Sequence, residues 1–184
     1  MLNNLARAVA CALALAAIGN AAHARGVVGA GIGISQFDYD DVDDGSAKKF
    51  YAAYELEGSP AYFEVALTDS GDADVTSLSG VTLNVSGLQV GAGYRLILNP
   101  DTGSNFFLKA GLYDTDTEAS GPGGTAEDGN TGFYLGFGGD WMLNPSFGLR
   151  FDMEGLLGVE DFAEDNNVTV ITVGPLVKFG GTAP

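Results

Sequence analysis

Three features of this 184-residue chain predict an all-β protein, an eight-stranded antiparallel transmembrane up-and-down β-barrel. About eight segments alternate apolar and polar residues. Period two puts oily side chains on one face of a strand and polar ones on the other. Short Pro- or Gly-marked turns alternate with longer acidic loops, and the whole array stands behind a leader built like an export signal.

The leader comes first. Arg7 supplies a positive n-region, residues 9–18 form a short apolar stretch, and Ala22-His23-Ala24 is an A-x-A cleavage site. That stretch is shorter than the roughly 20 residues a helix needs to span a bilayer. Residues 1–24 are therefore expected to be a removed signal peptide, 25–179 one barrel domain and 180–184 a short tail. Cys11 precedes most of the apolar run and leaves with the leader. So does His23, and the chain has one residue of each kind. The mature chain then lacks a disulfide, a thiol nucleophile and an imidazole. Losing Arg7 as well moves the formal charge from −16 to −17. A chain this acidic, without a basic patch, is not expected to bind nucleic acid or to dock on anionic lipid.

The strands follow in order. In the first, Val28, Ala30, Ile32 and Ile34 share one face. Gly29, Gly31 and Gly33 share the other, where they leave room for larger neighbours such as Tyr51 and Tyr113. The second sets Phe50, Ala52, Tyr54 and Leu56 against Lys49, Tyr51, Ala53 and Glu55. The third sets Phe63, Val65 and Leu67 against Tyr62, Glu64 and Thr68. The fourth runs over about 81–98 and changes phase near Ser86-Gly87. Val81, Leu83 and Val85 are odd, whereas Leu88, Val90, Ala92, Tyr94 and Leu96 are even. One extra residue there, a bulge, keeps a single apolar face.

The fifth strand sets Phe106, Leu108, Ala110 and Leu112 against Phe107, Lys109, Gly111 and Tyr113. The sixth sets Phe133, Leu135, Phe137, Trp141 and Leu143 against Tyr134, Gly136, Gly138 and Asp140. The seventh is the clearest: Phe147, Leu149, Phe151, Met153, Leu157 and Val159 oppose Arg150, Asp152, Glu154 and Glu160. In the eighth, Ile171, Val173, Val177 and Phe179 oppose Thr172, Gly174 and Lys178. A soluble barrel or sandwich also alternates in this way, so the connections must discriminate. Residues 57–60, 99–103 and 144–146 are tight turns, while 38–47, 69–80, 114–130 and 160–167 are longer polar loops that hold most of the acidic residues. Short turns at one end and longer loops at the other belong to a membrane barrel. Aromatic residues near strand ends (Tyr54, Tyr62, Phe63, Tyr94, Phe106, Trp141, Phe147, Phe179) fit interfacial girdles.

On this pattern the mature chain resembles the small eight-stranded outer-membrane β-barrel family, which includes the OmpA transmembrane domain and the OmpX and Ail-like barrels. The resemblance implies an outer-membrane location in a Gram-negative cell. It implies contact with outer-membrane lipid and lipopolysaccharide, and insertion by the barrel assembly machinery as a monomer. It also implies a C-terminal insertion signal, matched here by Ile171, Val173, Val177 and Phe179, after which this chain adds Gly180 to Pro184.

The polar faces carry Glu55, Glu64, Lys109, Asp140, Arg150, Asp152, Glu154 and Lys178, with Arg95 on the fourth strand. An eight-stranded barrel is just wide enough for side chains to fill, and buried charges must pair. Four basic groups facing five acidic ones are therefore expected to form a lumenal network that plugs the barrel, similar to that of the OmpA domain. The expected role is structural or in surface interaction. A narrow pore for ions or small solutes is an alternative. So is an adhesin that binds an extracellular partner through acidic loops.

Residues 40–45 have nearly a calcium-loop spacing, but Val42 stands where D-x-D-x-D-G needs a ligand. No metal or cofactor is expected. The glycines of Gly29-Ala30-Gly31-Ile32-Gly33 precede no helix, so they are not read as a nucleotide site. The sequons at Asn84 and Asn167 are taken as chance. The barrel enzymes of this membrane rely on a histidine, and the mature chain has none, so catalysis is not expected.

Overall fold

The computed structural model describes residues 24–38, 41–56, 58–161 and 164–180. The leader before Ala24, the tail after Gly180, and Asp40 and Glu57 lie outside the described residues. The strands are β1 (Ala24–Phe37), β2 (Gly45–Leu56), β3 (Ala61–Asp69), β4 (Ala73–Asp74), β5 (Thr82–Asn99), β6 (Ser104–Gly121), β7 (Gly124–Asn144), β8 (Phe147–Asp161) and β9 (Glu164–Phe179). Around the barrel, neighbouring strands pair antiparallel. β3 pairs β5, and β1 pairs β9 from Gly26↔Phe179 to Phe37↔Val168. Eight strands thus close a barrel, with β4 a two-residue ladder at the start of β5. Closure gives the backbone of the wall internal partners, as strands in hydrocarbon require.

The outer surface is apolar. Ile32, Leu108, Phe133 and Trp141 are its most exposed large side chains, Trp141 at 72%. A soluble monomer does not present a continuous apolar belt of this kind. At one end the turns are tight. Asn144 Oδ1 accepts hydrogen bonds from the amides of Ser146 and Phe147, each at 2.9 Å, and Asn99 Oδ1 accepts from Asp101 N at 3.0 Å. These side-chain turns are why Asn opens both connections. Gly103, at φ 79°, closes the second of them with a conformation only glycine adopts cheaply.

At the other end the strands are longer than the sequence pattern implies. Strands β6 and β7 have 18 and 21 residues, beyond the roughly 9–11 that span a bilayer. Residues 114–130, expected as a loop, are a two-stranded ribbon paired to its tip at Gly121↔Gly124. Alternation continues there in another alphabet: Thr115 and Thr117 point inward and are buried, while Asp114 and Asp116 point to water. The loop expected over 160–167 is likewise shortened by pairing of Glu160↔Asp165 and Asp161↔Glu164.

The phase change in β5 is not a bulge. Its ladders with β3 and β6 run unbroken through Ser86 and Gly87, and the register shift lies at the other end, between Ile97 and Asn99. Leu83 and Val85 instead face inward and are buried. They join Phe37, Ala47, Ala73, Tyr113, Tyr134, Leu156, Val159, Val168 and Val170 in an apolar cluster inside the barrel. Beyond the lipid belt the outside is water, so the inside becomes an ordinary hydrophobic core. The bulge is found in β8. Gly158, at φ 69°, accompanies a register shift between Leu156 and Val159. Val159, expected outside, is therefore buried inside.

Two smaller expectations also change. Tyr62 is not part of a girdle; it is 1% exposed and packs edge-on against Phe107, with ring centroids 6.0 Å apart. Tyr113 lies over Gly132 rather than over the glycines of β1, where Tyr51 covers Gly29.

Candidate functional site

The lumen is built by complementary strands. Inward positions of β2, β3, β6 and β8 carry large or charged side chains. Those of β1, β5 and β7 include glycines, such as Gly29, Gly91, Gly93 and Gly136, that give them room. A Cβ on Gly136 stands 2.9 Å from Lys109 Cε and 3.0 Å from Glu154 Cγ, too close for either to stay where it is. A Cβ on Gly93 meets the Tyr62 ring, and one on Gly91 meets the Tyr134 hydroxyl. The glycines of the alternating runs are thus the space into which the polar interior fits.

All nine charged residues expected in the lumen lie there, none more than 9% exposed. The structure brings them into one connected network. At the short-turn end Arg95 Nη1 meets Glu55 Oε2 at 2.6 Å, and Lys178 Nζ meets Glu55 Oε1 at 2.9 Å. Lys178 also approaches Asp140 Oδ2 at 3.6 Å. Arg150 donates to Asp140 from Nε at 2.7 Å and from Nη2 at 3.2 Å, and to Glu64 Oε2 from Nη1 at 2.7 Å. Its guanidinium lies over the Tyr51 ring at 4.3 Å and the Phe107 ring at 4.7 Å. Deeper in the barrel, Lys109 Nζ reaches Glu64 at 2.9 Å, Asp152 at 2.5 Å and Glu154 at 2.6 Å.

Sequence reasoning omitted one member. Lys49, on the polar face of the second strand, is 1% exposed and joins Asp152 at 2.8 Å, Glu154 at 2.5 Å and Glu64 at 3.4 Å. With it, Lys49, Arg95, Lys109, Arg150 and Lys178 balance Glu55, Glu64, Asp140, Asp152 and Glu154. Four expected cations against five carboxylates were the signal that a cation was missing. Desolvating an ion costs several kcal/mol unless partners and hydrogen bonds compensate, so the lumen needs both the balance and the shared contacts. Asn105, also unforeseen, donates to Asp140 Oδ2 at 3.2 Å.

The carboxylates of Glu64, Asp152 and Glu154 lie within 4.8 Å of one another, the arrangement of a cation site. The ammonium groups of Lys49 and Lys109 already occupy that space. Near the acidic segment 40–45, Val42 bridges Val75 and the Asp43 amide donates to Asp74 O at 2.9 Å. The described portion of that segment is thus tied to β4 and its flank rather than wrapped into a cage.

One apolar cluster is interleaved with the charges, and another lies toward the long-strand end. Val27, Tyr51, Ala53, Tyr62, Ala66, Phe107, Met142 and Leu176 form one cluster, and the Leu83–Val85 cluster forms the other. The insertion-signal residues lie on the opposite, lipid-facing side. Val173, Val177 and Phe179 are exposed and Ile171 is half-buried.

Residues 8–179 match the family described as Outer membrane protein beta-barrel domain. Among solved structures, Neisserial surface protein A is similar with a TM-score of 0.60 at 12% identity, over 86% of this chain and 98% of that one. The N-terminal β-barrel domain of Pseudomonas aeruginosa OprF gives 0.58 at 14% identity, over 85% and 98%. The attachment invasion locus protein Ail of Yersinia pestis gives 0.56 at 15% identity, over 86% and 99%. These identities carry the fold alone. No curated protein matches the sequence.

Proposed function

The chain belongs to the outer membrane protein beta-barrel domain family, and from that premise we propose that it is a closed, non-catalytic barrel with a structural and surface-interaction role. It resides in the outer membrane. One observation carries the proposal: the lumen holds a charge-balanced network of ten side chains, packed among one apolar cluster and covered toward the long-strand end by another. An ion entering such a lumen meets no unpaired charge to replace its water. It must also push through the packed apolar cluster toward the long-strand end.

The test is planar-bilayer conductance of the refolded protein. No stepwise current is expected. Ion-selective steps that disappear in Arg150→Ala or Glu154→Ala establish the narrow pore instead. Under the same reading, outer-membrane lipid and lipopolysaccharide solvate the apolar belt. The assembly machinery reads Ile171, Val173, Val177 and Phe179, and the protein works as a monomer. The long-strand end supplies the surface for partners outside the cell.

A further inference from the structure

Strand β7 makes its last pairing with β8 at Phe133↔Leu157, and residues 124–132 pair with β6 only. Strand β8 has turned away at the Gly158 bulge and continues with β9 alone, at Val159↔Asn166. Among the described residues β7 therefore has an open edge above that seam. Asp128-Gly129 lies on it. An amide nitrogen that follows Asp can close a five-membered ring on the side-chain carboxyl, and surroundings decide whether it does. The chain holds one other Asp-Gly pair, Asp44-Gly45, which serves as the comparison.

The Gly129 amide donates to Asp128 Oδ1 at 2.9 Å. That contact holds the nitrogen close to the carboxyl carbon, one bond further on, so the two reacting atoms are already near one another. Gly129 has no side chain to shield the nitrogen. The place where its Cβ would stand is open: beyond the adjoining residues, the nearest atoms are Asp116 Oδ1 at 3.8 Å and Thr115 O at 3.9 Å. Asp128 and Gly129 are both exposed, so water reaches a ring formed there. Gly45 is the opposite case. It is buried at the start of β2 and paired with Ser35, and a Cβ there would stand 2.6 Å from both Ser35 Oγ and Ser70 O. A ring has no room on that side.

We propose that Asp128-Gly129 is a self-modification site, at which the surface ribbon converts to isoaspartate through a cyclic imide. The Gly129 nitrogen bonds to Cγ of the protonated Asp128 carboxyl and gives up its proton. The carboxyl hydroxyl leaves with that proton as water. Water then adds back to one of the two imide carbonyls. Addition at Cγ restores aspartate. Addition at the main-chain carbonyl breaks its bond to the Gly129 nitrogen, and the chain then runs through Cβ and Cγ. No other reactant enters and the mass is unchanged, but the backbone is one carbon longer. The pairs from Thr117↔Asp128 to Gly121↔Gly124 therefore lose register with β6, while those from Tyr113↔Gly132 to Asp116↔Gly129 keep theirs. Glu118 and Glu127 are direct cross-strand partners, and like charges in that position gain by separating. The outer half of the ribbon frays with age, and the barrel wall does not change.

The test incubates the refolded barrel in nanodiscs at neutral pH and maps its peptides by electron-transfer fragmentation, which tells isoaspartate from aspartate. Urea-unfolded protein and the Gly129→Val variant are run beside it. In the folded barrel Asp128 is expected to isomerise at least about tenfold faster than Asp44, a barrier lower by roughly 1.4 kcal/mol. Unfolding should remove that difference, because it frees both Asp-Gly pairs alike, and Gly129→Val should keep residue 128 as aspartate. Hydrogen exchange in the aged barrel should quicken over residues 118–127 and stay unchanged over 105–112. A folded-state rate at Asp128 no greater than that at Asp44 overturns the site. So does a rate about tenfold below that of the unfolded chain, because pairing with β6 then protects the dipeptide. Isomerisation without faster exchange over 118–127 overturns the fraying. The closed barrel fails separately, on conductance.

Discussion

Arg150 is where the lumenal network has least redundancy, so Arg150→Met tests it most sharply. Glu64 keeps Lys109 at 2.9 Å and Lys49 at 3.4 Å without it. Asp140 keeps only Asn105 at 3.2 Å and Lys178 at 3.6 Å. The variant thus strands one buried carboxylate and leaves four cations against five anions. Removing one partner of a buried ion pair costs about 3–5 kcal/mol. With a urea slope of about 2 kcal/mol/M, the unfolding midpoint should fall by about 1.5–2.5 M.

Trp141, the one tryptophan of the chain, faces lipid and reports unfolding from vesicles by fluorescence. The decisive comparison is the double variant. If the loss comes from the stranded carboxylate, Asp140→Asn should recover at least half of it in the Arg150→Met background. An Arg150→Met midpoint within about 0.5 M of the parent refutes the reasoning. So does a double variant no better than the single, because the damage would then come from lost packing over Tyr51 and Phe107.

Three further outcomes are expected. Val85→Cys should resist maleimide in the folded barrel while Ser86→Cys reacts; a reactive Val85→Cys restores the bulge and removes the inner apolar layer. Gly93→Ala should lose about 1–3 kcal/mol through overpacking against Tyr62 and little in a Tyr62→Leu background, measured by urea unfolding. An equal loss in both backgrounds assigns the cost to the backbone instead. Brominated lipids should quench Trp141, and full emission in them contradicts its place in the lipid belt.

Several elements were legible in the residue pattern alone. Parity along β6 put Phe106, Leu108 and Leu112 outside and Phe107, Lys109 and Tyr113 inside, and the structure places them so. The same parity put Lys49 inside, although nothing local marks it as a member of the network. Leu83, Val85 and Val159 were assigned outward because an apolar residue was taken to mean lipid. That equation holds only at the height of the hydrocarbon. The ribbon over 114–130 was hidden by its acidic residues, which read as loop while Thr115 and Thr117 kept the alternation.

The sequence by itself determined the antiparallel strands and which side chains share a face. Those follow from covalent geometry, since neighbouring residues of an extended chain must point to opposite sides. Only the tertiary structure decided what each face meets. Whether Val85 sits against lipid, water or a core depends on its height in the barrel, and that is set by pairing with residues far along the chain, as in Val85↔Thr117. The open edge of β7 was decided in the same way. It exists because β8 turns aside at Gly158, and no local pattern in 124–132 records the loss of a neighbour.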